Sequence, residues 1–184
     1  MRIQPRATGE YPWYVRPLFW LQRRHYGQVL QPGLLWGRHP GLLFGVAFLL
    51  GRLSRRKSAL TPALRALICV RVSQINDCPF CIDINGASYL AAGGAQADKL
   101  LVLPQWREAP GFTEPERQVL AYTESMTDSR QGVDDGQFAR LRQYFDDDGL
   151  IELTALIAFQ NMSSKFNAAL AVPPQGFCRT DAHP

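Results

Sequence analysis

A chain of 184 residues, 46% hydrophobic and 20% charged, is long enough to bury one core without disulfide staples, and its balance excludes a disordered or fibrous protein. Its most apolar run, Gly41 to Leu50, is about half the roughly 20 residues that a membrane-spanning helix requires. The net charge of +4 hides an uneven spread, because residues 1–57 carry ten Lys and Arg against the single acid Glu10, hence +9, while the remainder is −5.

In chain order, the first third is basic and aromatic. The segment Pro12 to Leu21 (PWYVRPLFWL) suits a subunit contact better than a membrane interface. Charge of this kind attracts nucleic acid, but no zinc-finger spacing, RNP-like run or long Lys/Arg block accompanies it, so no nucleic-acid partner is expected. Gly41 to Leu50 reads as a buried helix. The N-terminus has no apolar segment before a small-residue cleavage site, which makes the reducing cytoplasm the expected compartment.

From residue 61 onward the period is helical. Thr61-Pro62 opens a helix with an N-cap and an early proline, and its apolar face holds Leu64, Leu67, Ile68, Val72 and Ile75. A second helix runs from about Pro79 to Ala92 and stops at Gly93-Gly94; a short one spans Ala95 to Leu103. Thr113-Glu-Pro-Glu116 is a capping box whose helix has Val119, Tyr122, Thr123 and Met126 as its stripe. Asp134 caps the next helix. After Asp146-Asp147-Asp148-Gly149 comes a long apolar helix, Leu150 to Leu170, expected to be covered on one side by the body and on the other by another subunit. No strand-like alternation competes. The expected fold is all-α, a single domain with an N-terminal helical extension.

The stretch Asn76-Asp-Cys-Pro-Phe-Cys-Ile-Asp-Ile-Asn85 carries the chemistry. Cys78 falls at or beside a helix N-cap with Cys81 one turn further in, where unpaired N–H groups and the helix dipole favour a thiolate. Three uses compete: a metal clamp, a redox couple, or two small core residues. Zinc needs two more ligands, and His25, His39 and His183 form no pair, so neither a metal nor a cofactor is expected. In a reducing compartment the redox couple is favoured. Cys69 is read as plain core.

The run from Leu64 to Asn85 (LRALICVRVSQINDCPFCIDIN), followed by a small-residue helix and Gly93-Gly94, resembles the carboxymuconolactone decarboxylase family in its AhpD-like alkylhydroperoxidase branch. The resemblance continues through Pro115 to Tyr122 and Glu152 to Asn161, which divides the chain into a basic extension (1–57), an AhpD-like helical bundle (58–177) and a tail (178–184). It implies a homo-oligomer of two, three or six chains and an antioxidant, thiol-dependent peroxidase. Cys81 would attack the peroxide, and Cys78 would resolve the sulfenic acid and face the exchange partner. A dithiol reductant, a lipoyl protein or a thioredoxin-like donor, would restore both thiols. The family relay has Glu and His where this chain has Ala66 and Asn85, so the general base is missing and activity is expected to be weakened. Asn85 is expected to donate a hydrogen bond to the Cys81 sulfur. Asp83 is expected to face away from the thiols, Arg71 to form a surface or interface ion pair, and Glu124 and Glu152 are candidate replacement bases. Two alternatives stand beside this reading: an oligomeric small-molecule-binding or oxidant-sensing protein, and a lactone decarboxylase.

Overall fold

The computed structural model describes residues 1–55, 57–93 and 97–178. Among these are nine α-helices, two short 3-10 turns and no strand: α1 (Arg16–Tyr26), α2 (Gln31–Gly37), α3 (Pro40–Leu53), α4 (Pro62–Ile75), α5 (Pro79–Ala91), α6 (Ala97–Val102), α7 (Glu114–Thr127), α8 (Asp135–Leu141) and α9 (Asp147–Ala169). The caps read from the sequence set these limits. The Thr61 hydroxyl accepts the Leu64 N–H, Thr113 and Glu116 close a capping box, and Asp134 accepts the Gln137 N–H. The long helix begins three residues earlier than expected, because Asp146 accepts the Gly149 N–H at 2.8 Å and so becomes the N-cap. The Gly94 stop signal and residues 95 and 96 of the expected short helix lie outside the described residues.

Helix α4 is the centre of the body. One side packs Ile68, Cys69 and Val72 against Val119 and Tyr122 of α7 and Leu153 and Ile157 of α9. The other packs Ala66, Leu67 and Val70 against Tyr89 of α5 and the segment Leu103 to Phe112. A helix buried on both faces needs apolar residues around most of its circumference, and Ala66 to Val70 supply them consecutively. The N-terminal helices hold a smaller core of Tyr11, Val15, Phe19, Leu34 and Leu43, pinned by the Tyr11 hydroxyl donating to the Leu34 carbonyl at 2.7 Å. They are tied to the body where Trp36 of α2 stacks on Phe166 of α9, the ring centroids 3.6 Å apart.

One burial expectation is corrected. Helix α3 is not buried within the chain: Leu43 and Leu53 face inward, whereas Phe48 is 72% exposed and Leu42, Phe44, Leu49 and Leu50 are also open. The helix is apolar all round, but the chain has elements to cover only one face of it. On α9, Leu150, Leu153 and Ile157 are buried against the body while Ile151 is 67% exposed, on the side expected to meet another subunit. No described helix is long and apolar enough to cross a membrane.

Candidate redox site

The site is built at the corner between α4 and α5. Helix α4 ends in a Schellman motif: the Asp77 N–H donates to the Gln74 carbonyl at 3.3 Å and the Cys78 N–H to the Ser73 carbonyl at 3.0 Å. The motif requires a left-handed residue, and Asp77 takes it at φ 48° where glycine is usual. Three residues, Asn76 to Cys78, join the helices. Asn76 fastens the corner to α9 by donating to Asn161 Oδ1 and Ser164 Oγ, each at 2.9 Å.

This corner delivers Cys78 to the N-cap of α5, with Pro79 in the first turn. Cys78 Sγ accepts the Cys81 N–H at 3.3 Å, as an N-cap oxygen would. Cys78 and Cys81 are paired as a disulfide, their Cα atoms 5.3 Å apart. Both lie in an apolar cluster with Leu35, Phe80 and Val172; Cys78 exposes 0% of its surface and Cys81 2%. Fully buried in this cluster, Cys78 presents no surface to an exchange partner in this state.

Cys81 faces a cavity of about 390 Å³, a volume in the range of small-molecule sites. Helices α1 to α3 form its roof through Leu18, Trp36, Leu43 and Val46, and its floor comes from α4, α5 and α9. Ala66 and Asn85, at the positions of the family's Glu and His, both open onto this cavity beside Cys81. Asn85 does not reach the sulfur: its Nδ2 donates to the Cys81 backbone carbonyl at 2.8 Å, one turn back. Asn167 of α9 does reach it, donating from Nδ2 to Cys81 Sγ at 3.2 Å, and is 1% exposed. No pattern in the sequence singles out Asn167, 86 residues from Cys81; the signal is the fold's placement of α9 across the start of α5.

The other candidate residues are engaged elsewhere. Asp83 faces away from the thiols, as expected, and its carboxylate accepts the Gln175 N–H at 2.8 Å and the Cys178 N–H at 2.7 Å. Arg71 forms an ion pair, but an internal one: Glu124 accepts from Arg71 Nε at 2.7 Å, from Trp106 Nε1 at 2.8 Å and from Arg107 Nη1 at 2.6 Å. Burial pushes the Glu124 carboxyl up, but the Trp106 hydrogen bond and the two guanidinium groups hold it below its ordinary value. A carboxylate so held is a poor base. Glu152 accepts from Ser58 Oγ and the Ala59 N–H and closes the turn into α4. Neither acid lines the cavity.

Cys69 also lines the cavity, but burial pushes its thiol up to about 12, so it stays protonated at neutral pH. A second cleft of about 500 Å³ lies on the far side of α5, against Asp77, Pro79, Asp83 and Cys178. Burial and the Asp83 charge push the Cys178 thiol up as well. Among the described residues no three His, Cys, Asp or Glu side chains come together as a metal site.

A model of the carboxymuconolactone decarboxylase family matches residues 44–125. The uncharacterized protein YnjA of Escherichia coli strain K12 is 43% identical over 168 residues, which cover 91% of this chain and 92% of its own. Among solved structures, the alkylhydroperoxidase AhpD core of a peroxidase-related protein from Ralstonia eutropha JMP134 is similar with a TM-score of 0.85 at 20% identity, over 100% of this chain and 97% of that one. The debrominase Bmp8, solved as a cysteine-to-alanine variant with 2,3,4-tribromopyrrole, is similar with a TM-score of 0.81 at 20% identity, over 97% and 94% of the two chains. At such identities the two structural likenesses are likenesses of fold.

Proposed function

The chain belongs to the carboxymuconolactone decarboxylase family, in its AhpD-like branch, and we propose from that premise that it is a thiol-dependent peroxidase for organic hydroperoxides. The observation that carries this reading is the cavity wall: of the paired cysteines, Cys81 lines the cavity and Cys78 lies behind it. In the reduced protein the Cys81 thiolate attacks the terminal oxygen of ROOH. The O–O bond breaks, the hydroxyl passes to sulfur as Cys81 sulfenic acid, and RO⁻ leaves to take a proton from water. The Cys78 thiol then displaces that hydroxyl as water and closes the disulfide.

Reduction follows from the same geometry. A dithiol donor entering the cavity attacks Cys81 Sγ, and Cys78 departs as a thiolate at the helix N-cap, where the dipole favours its charge. The donor's second thiol then attacks the mixed disulfide, leaving two protein thiols and an oxidised donor. A lipoyl group or a short thioredoxin-like segment has the required chemistry, and the reducing cytoplasm is the compartment that supplies it. The homo-oligomer belongs to the same proposal: the open apolar faces of α3 and α9 are the surfaces that further copies of the chain would cover. The extension 1–57 then serves as roof and interface.

A second reading draws on the fold shared with Bmp8 and on the largely apolar cavity lining. Thiolate attack on an aryl bromide gives a sulfenyl bromide and an aryl carbanion, which takes a proton from water; Cys78 then closes the disulfide with loss of bromide. The deciding experiment is stopped-flow loss of free thiol after mixing reduced protein with hydrogen peroxide, cumene hydroperoxide or a bromopyrrole. The wild type, Cys81→Ser and Cys78→Ser are compared, with turnover followed under a dithiol reductant. The peroxidase reading predicts fast disulfide formation with cumene hydroperoxide that requires both cysteines. Rates no faster than a free cysteine, unchanged by either substitution, would overturn it.

A further inference from the structure

The helix N-terminus serves the wrong sulfur for the chemistry proposed above. Cys78 is the N-cap and receives the N–H of Cys81, whereas Cys81, one turn inside the helix, receives nothing from α5. Its surroundings are apolar, and burial disfavours a thiolate. The relay positions give no help, with alanine at 66 and an amide at 85 that donates to a backbone carbonyl. The side chain that does reach Cys81 Sγ is the buried amide of Asn167.

Two features of this amide point beyond packing. A disulfide sulfur has no proton to donate, so the amide orientation that forms a bond is the one with Nδ2 toward Cys81. That leaves Oδ1 buried with no hydrogen-bond partner among the described residues, in a side chain that lines the cavity. An unsatisfied buried carbonyl is costly and calls for an explanation. A transient hydroxyl on the adjacent sulfur provides one.

Resting on the peroxidase reading, we infer that Asn167 is a catalytic residue in place of the absent His and Glu: its Nδ2 holds the Cys81 thiolate, and its Oδ1 accepts the O–H of the oxygen being transferred. That hydroxyl belongs to ROOH before the attack and to the Cys81 sulfenic acid after it, so one acceptor holds it throughout. Asn167 neither gives nor takes a proton, and the electron balance is that of the peroxidase step. Asn167 thus supplies the orientation and charge stabilisation of a relay without its proton transfer.

The first test reads Cys81 without any peroxide. In the Cys78→Ser background, the pH profile of Cys81 alkylation by iodoacetamide is measured by peptide mass spectrometry for Asn167, Asn167→Leu and Asn167→Asp. Besides Cys81, the titratable groups lining the cavity are Arg65, Cys69 and Tyr26; burial pushes the Cys69 thiol and the Tyr26 hydroxyl up, so neither loses its proton near neutral pH. Asp83 is turned toward Gln175 and Cys178. Asn167→Leu is expected to raise the Cys81 midpoint by about one unit, a tenfold fall in alkylation at pH 7, and Asn167→Asp to raise it further. Alkylation of Cys178, which packs on Gly86 of α5, stays unchanged as an internal control.

The second test measures Cys81 oxidation by cumene hydroperoxide above the alkylation midpoint, where the thiolate is fully formed. A residual deficit of about tenfold in Asn167→Leu is expected from the lost acceptor. Midpoints that superimpose in either folded variant overturn the thiolate role, and no residual deficit overturns the hydroxyl role. In the unsubstituted protein, the Asn167 side-chain amide signals should titrate with the Cys81 midpoint by nuclear magnetic resonance. Signals that ignore it overturn the inference even if both variants misfold. Because alkylation needs no hydroperoxide, a shifted profile in a protein that reduces none upholds the amide and overturns only the peroxidase assignment.

Discussion

At the scale of single residues, the site is a thiol pair whose usual proton carriers are gone and whose space remains. Ala66 and Asn85 both open onto the cavity beside Cys81, so larger side chains placed there would enter it. The pair of substitutions Ala66→Glu and Asn85→His is therefore expected to raise the second-order rate with cumene hydroperoxide by about 10²-fold, the lower end of what general-base assistance supplies. Stopped-flow thiol loss measures it; a rate unchanged in a folded double variant would mean that Cys81 is limited by access and not by proton removal. Cys78 and Cys81 were legible in the sequence because a local rule governs them: a helix stop, a proline in the first turn and a three-residue spacing fix both sulfurs at one N-terminus. Asn167 was not legible. It lies 86 positions from the sulfur it touches, and an asparagine late in an apolar helix carries no periodic signal. Asn85, one turn from Cys81, was read as its donor by the same local rule, but its amide takes the nearer backbone carbonyl.

At the scale of elements, caps and stripes predicted the helices, because each cap is a contact over three residues. What they could not predict is how the helices are joined. Glu124 of α7 collects Arg71 of α4 together with Trp106 and Arg107, and it was read from the sequence only as an available base. Its folded-state carboxyl lies below the ordinary value. Its stability contribution is thus present above the ordinary carboxyl range and lost as the pH falls through the depressed value. Glu124→Gln, which strands Arg71, is expected to cost about 3 kcal/mol at pH 7. Urea unfolding should show that gap narrowing only in acid; a gap that narrows as the pH rises toward 9 would contradict the assignment. The roof helices make a different prediction. Val46 of α3 lines the cavity and is partly buried, so Val46→Trp fills space that a bulky hydroperoxide needs. Reaction with cumene hydroperoxide is expected to fall about tenfold while hydrogen peroxide stays within about twofold. Equal losses for both would mean that the roof does not shape the substrate site.

For the whole molecule, the uneven charge and the misplaced apolar face are two sides of one question. Gly41 to Leu50 reads as a buried helix, because ten nearly continuous apolar residues are seldom left in water. Within one chain that expectation fails for Leu42, Phe44, Phe48 and Leu49, since α3 already spends its inner face on the cavity roof and the N-terminal core. Exposed Trp13 and Trp20 add to the open apolar surface. Open apolar surface of this kind is where the proposed oligomer would form. The first 57 residues are +9 and the rest −5, which lets the basic extension of one copy meet the acidic body of another. Phe48→Glu, at the most exposed apolar position of α3, places a charge where burial against a second copy would be costly. Sedimentation of the wild type is expected to give an oligomer and of Phe48→Glu a smaller species, with thermal stability then rising with concentration only for the wild type. A monomeric wild type would refute the oligomer and leave the α3 face for another partner. An oligomer that ignores the substitution would move the interface to Ile151 and Met162 on α9, another open apolar surface among the described residues.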